Sequence, residues 1–179
     1  MRSILGVLVS ALLVVGCAGS TPSAAPAASA PAASASGAGA FGGAVQFKYH
    51  GKAATTKVDA VADGTNVSGT AVTDIGDASD VGKGTHTVQL GCAAKAGDMW
   101  AVAGKTETSN VEGGRAGDWS AVIVKPGSPA KIGIWVSDDA SNASDCGAWL
   151  KGIDFSTIDI ANFETVESGT LTAPAGLAP

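Results

Sequence analysis

From Ala44 onward, the local pattern of this chain is that of short strands. Val45-Gln46-Phe47-Lys48-Tyr49 alternates apolar and polar, the pattern of a strand with one buried face. Asp63-Gly64 separates the similar runs Lys57–Val61 and Asn66–Val72, which predicts a hairpin. Thr85–Leu90 and Trp100–Ala103 form the next pair, around a turn at Lys95–Asp98. Trp119–Val124 and Lys131–Val136 flank Pro126-Gly127-Ser128-Pro129, where proline's fixed φ and glycine's permissive one favour a tight connection. A last strand is expected over Glu164–Leu171. Seven to eight short strands joined by turns predict a mainly β domain, an antiparallel sandwich or barrel.

One short helix is expected near 142–151. Ser141 or Asn142 can cap its start, Asp145 suits the first turn, Lys151 the last turn, and Gly152 a left-handed position beyond it. Cys146, Trp149 and Leu150 fall at i, i+3 and i+4 and share the face turned to the sheet, where the helix is expected to seal one end.

The pattern before Ala44 is different. Met1-Arg2-Ser3 gives a short positive start, and Ile4–Val15 is apolar apart from Gly6 and Ser10, too short to span a bilayer and of signal-peptide length. The run ends Leu13-Val14-Val15-Gly16-Cys17, which resembles the lipobox of bacterial lipoproteins. That resemblance implies cleavage between Gly16 and Cys17, lipid on the Cys17 sulfur, and a protein held at the extracytoplasmic face of the cell membrane. Residues 18–40 contain only Ala, Gly, Ser, Thr and Pro, with Pro22, Pro26 and Pro31 interrupting any helix. This stretch reads as a flexible tether reaching roughly 25–30 Å. The expected organisation is therefore a signal over 1–16, lipidated Cys17 and tether over 17–43, a β domain over 44–172 and a flexible tail over 173–179. The whole plan also resembles small surface lipoprotein antigens of actinobacteria, without any domain motif that can be aligned.

A net charge of −5 argues against nucleic acid, whose phosphates call for clustered Lys and Arg. With Cys17 assigned to lipid, Cys92 and Cys146 remain as a pair in an exported chain, the setting in which disulfides persist. Zinc is the rival reading, weakened by the lack of Cys-x-x-Cys and the presence of only two His.

Motifs that carry chemistry are sparse. His50 sits at a turn and His86 in a strand, with neither a Gly-x-Ser-x-Gly elbow nor a Ser-x-x-Lys motif beside them, so both read as surface histidines and an envelope hydrolase is disfavoured. Asp74, Asp77 and Asp80 recur every third residue and offer a weak calcium set at non-EF-hand spacing. Asn66-Val67-Ser68 and Asn142-Ala143-Ser144 match a glycosylation pattern that is coincidental in a bacterial chain. Trp135 alternates out of phase with Ile132, Ile134 and Val136, so it faces away from the core, where Trp149 of the helix is expected to cover it. No cofactor is implied. The expected function is a non-enzymatic binding or structural module on a membrane anchor, with an envelope protein or glycan as partner; the alternative is a small-molecule or glycan binder that uses an exposed Trp135 with Trp149.

Overall fold

Eight strands follow one another in the chain: β1 (Gly39–Tyr49), β2 (Lys52–Asp63), β3 (Asn66–Ile75), β4 (Gly84–Ala96), β5 (Met99–Ser109), β6 (Trp119–Lys125), β7 (Lys131–Ser137) and β8 (Glu164–Leu171). Each pairs antiparallel with the next, and β8 returns to β1, which decides for a closed barrel over a sandwich. A helix, α1 (Cys146–Gly152), and a 3-10 turn (Ile160–Asn162) lie between β7 and β8. The computed structural model describes residues 39–76, 84–111, 114–137 and 145–177. Gly16, Cys17, Asp77, Asp80, Ser141 and Asn142 lie outside the described residues.

The turns follow from local chemistry. Tyr49 pairs with Lys52, leaving His50-Gly51 as a two-residue loop with φ of 47° and 79°, the mirror-image turn that matches the twist of the strands. Gly64 and Gly97 open the next two-residue loops with φ of 61° and 62°.

Inside the barrel, alternate residues form one core that includes Phe47, Val58, Leu90, Trp100, Val122 and Ile132. A second apolar cluster lies outside, where Ala101 and Ala103 of β5 and Trp119, Ala121 and Ile123 of β6 are covered by Trp149 and Leu150 of α1. Strands β5 and β6 are thus buried on both faces, which explains their continuous apolar runs. The Cys92–Cys146 disulfide, with Cα atoms 5.7 Å apart, ties β4 to the start of α1.

Several expectations need correction. Strand β1 begins at Gly39, so Gly39–Gly43 pair in the sheet, although they were assigned to the tether on composition alone. Asp145 is the helix N-cap, its carboxylate accepting from the Ala148 N–H at 2.7 Å, because α1 starts only at Cys146. Gly152 is still helical and Ile153 closes the helix in an extended conformation, so no left-handed glycine is used. The helix covers the outer wall of β4–β6 and does not seal an end of the barrel. Residues Thr172–Leu177 are anchored: Thr172 N–H donates to Gly42 O at 2.9 Å, Pro174 is buried, and Leu177 packs on the core.

Candidate functional site

Period-two alternation in β7 buries Ile132 in the barrel and sends Trp135 to the outer wall, opposite Ala121 of β6. There Trp135 is 44% exposed, one of two large hydrophobics that remain open to solvent among the described residues. The expected cover fails because Trp149 goes elsewhere. Its ring stacks on Trp119 at 5.8 Å and 17°, and the Lys105 ammonium sits 3.9 Å from the Trp119 ring centre. Ala121 and Ala103 leave room on the wall for that stack, so α1 sits over β4–β6 rather than over β7.

The seam between β7 and β8 opens the site. These strands pair only at Lys131↔Thr165 and Ile132↔Glu164, so the rest of β7 runs free of β8. The chain from Ile153 to Phe163 lies alongside and forms a facing wall. Phe163 rests directly on Gly133, where a Cβ would come within 2.8 Å of the ring. The Lys131 ammonium donates to Ile160 O at 3.3 Å and fastens the 3-10 turn.

A trough with two lobes results. One, of about 670 Å³, lies between Trp135, Trp149, Ile153, Asp154 and Ile158. The other, of about 310 Å³, extends past Trp135 to Tyr49, His50 and Glu164. Trp135, Ile158, Asp159 and Asn162 belong to both. Ligand sites of this size combine an apolar floor with a few placed polar groups.

Those polar groups are held by their own turns. Asp154 accepts from the Ser156 hydroxyl at 2.6 Å and the Ser156 N–H at 3.0 Å, and the hydroxyl above all keeps this carboxyl below its ordinary range. Asp159 caps the 3-10 turn through Ala161 N–H at 2.9 Å and reaches the Asn162 amide at 3.4 Å. Glu164 accepts from the His50 N–H at 3.2 Å. Each carboxylate keeps lone pairs for a ligand donor. None of Asp154, Asp159 or Asn162 was singled out in the sequence, because the segment carrying them has no period; its Asp-x-Ser and Asp-x-x-Asn spacings were the only local signal.

The remaining sequence candidates fall elsewhere. His86 is not a surface histidine: it is 2% exposed and points into the barrel, its Nε2 3.1 Å from the Ser120 hydroxyl, which lies 2.8 Å from that of Thr106. Burial pushes its pKa below the ordinary 6.5, and the nearby Asp118 charge partly opposes this. Together with the Thr56–Thr73 hydroxyl pair, these side chains form a polar layer across five neighbouring strands at one end of the core. Ser120 has no exposed surface, so this serine–histidine contact is a packed hydrogen bond out of reach of a substrate. Asp74 is exposed on β3. No group of three or more metal-ligating side chains occurs among the described residues.

No family model, curated protein or solved structure shows a match to this chain.

Proposed function

We propose that the chain is a lipid-anchored extracytoplasmic binding module, without catalysis, whose β-barrel head holds a saccharide in the Trp135 trough. The location rests on the Leu13-Val14-Val15-Gly16-Cys17 segment, where a diacylglyceryl group on Cys17 would supply two acyl chains, enough for stable anchoring. Residues 18–38, which contain only Ala, Gly, Ser, Thr and Pro, would serve as the spacer between Cys17 and the first strand.

The observation that carries the ligand class is the half-exposed indole of Trp135 between two polar-rimmed lobes. A sugar ring presents an apolar C–H face and an edge of hydroxyls. The first stacks on an indole, and the second needs carboxylate and amide partners of the kind that Asp154, Asp159 and Asn162 supply. A flat protein interface would call for a broad apolar patch, whereas among the described residues Trp135 is the one exposed large hydrophobic that lines the trough.

The test is retention of the mature chain on insoluble envelope polysaccharide from the native host. Wild type is expected to bind, and Trp135→Ala to lose about tenfold or more in affinity, since a well-packed aromatic anchor contributes ≥ ~2 kcal/mol. Equal retention of both would overturn the reading.

A further inference from the structure

We infer that the trough selects a saccharide of two or more units that is neutral or carries amines, and rejects acidic chains. This rests on the saccharide reading above and adds length and charge to it.

The length follows from the shared wall. A ring stacked on Trp135 occupies one lobe, and the other opens beside the same indole, past Asp159 and Asn162. A monosaccharide leaves one lobe to water, whereas a linked second unit continues into it. The cavity of about 330 Å³ on the far side of the seam, between β8 and the Pro126–Ala130 turn, shares only Ile132 with this path.

The charge preference follows from the side chains that line the two lobes. Asp154, Asp159 and Glu164 contribute carboxylates, His50 is the one basic side chain, and no Lys or Arg lines either lobe among the described residues. Lys131, the nearest ammonium along β7, donates to the Ile160 carbonyl from outside both lobes. Asp154 is held ionised by Ser156, and the other two carboxylates accept backbone N–H bonds that fix where they stand. A uronate, sulfate or phosphate on the ligand would meet fixed charges of its own sign with no cation to pair with. A hydroxyl or an ammonium meets acceptors.

An array of neutral, amine-bearing and acidic saccharides of one to several units, probed with the mature chain, tests this. Neutral and amine-bearing chains of two or more units are expected to bind. Monosaccharides and acidic chains are expected to be about tenfold weaker or worse. Asp154→Asn and Glu164→Gln, which keep the hydrogen-bonding shape, should each weaken amine-bearing ligands about two- to fivefold more than neutral ones and narrow the gap between neutral and acidic chains. Strongest binding to acidic chains, or equal binding of mono- and oligosaccharides, overturns the inference while leaving the saccharide reading in place. Binding to no saccharide of any kind overturns that reading, and the inference with it.

Discussion

At the scale of single residues, two side chains behave against the expectations raised by their sequence neighbours. Trp135 stays half exposed because its expected partner stacks on Trp119, and His86 is buried although Thr85 and Thr87 flank it. The His86 case is instructive: alternation alone says that a residue and its neighbours face opposite ways, and a polar triplet leaves open which face is inside. Its interior position has a measurable consequence. Because burial depresses the folded-state pKa, the unfolded chain binds a proton more readily, so the stability contribution is complete above the ordinary 6.5 and is lost as pH falls through it. Melting temperature is therefore expected to decline between about pH 7 and about pH 5. His86→Gln should start lower and lose most of that slope. An unchanged slope in the variant would place the titrating group elsewhere.

At the scale of elements, the eight strands were legible because each carries a period-two pattern or a short continuous apolar run bounded by turn residues, and the observed β8 has the expected bounds, Glu164–Leu171. What the pattern could not supply was the assignment of outer faces. The run Trp100–Ala103 is apolar at every position and Trp119–Val124 at every position but Ser120, which signals burial on both sides but does not say what covers the second side. The cover is α1 with the irregular chain to Phe163, and this unpatterned segment also makes the far wall of the trough. The cap was misplaced for a related reason. Ser141, Asn142 and Asp145 are all competent N-caps, and the disulfide holds Cys146 at the first helical turn, which leaves Asp145 in the capping position. If the Trp119–Trp149 stack fastens α1 to the barrel, Trp119→Ala should cost about 3–5 kcal/mol in denaturant unfolding. Trp135→Ala, on the same wall but half exposed, should cost about 1 kcal/mol or less. Similar losses for both would mean that the wall is not organised around the stack.

At the scale of the whole molecule, the proposal joins a location to a recognition surface. The disulfide is consistent with an exported protein, since such bonds persist outside the reducing cytosol. The proposed anchor rests on the first seventeen residues alone, whereas the Cys92–Cys146 pair, expected once Cys17 was set aside for lipid, is present as a disulfide. The trough was not readable, because it depends on where β8 leaves β7, a property of register rather than of composition. Cys17→Ala is expected to abolish labelling by a fatty-acid analogue and to shift the protein out of the processed membrane fraction. A mature-length, membrane-bound Cys17→Ala protein would contradict the anchor.

The chain's four tryptophans give the ligand claim a direct readout. Each contributes one indole N–H signal to a two-dimensional NMR spectrum, and only one belongs to an exposed ring at the proposed site. Titration with a saccharide that the head retains should shift the Trp135 signal most, move that of Trp149 at the lobe edge less, and leave Trp100 inside the barrel in place. Saturable binding that leaves the Trp135 signal unmoved would contradict the account.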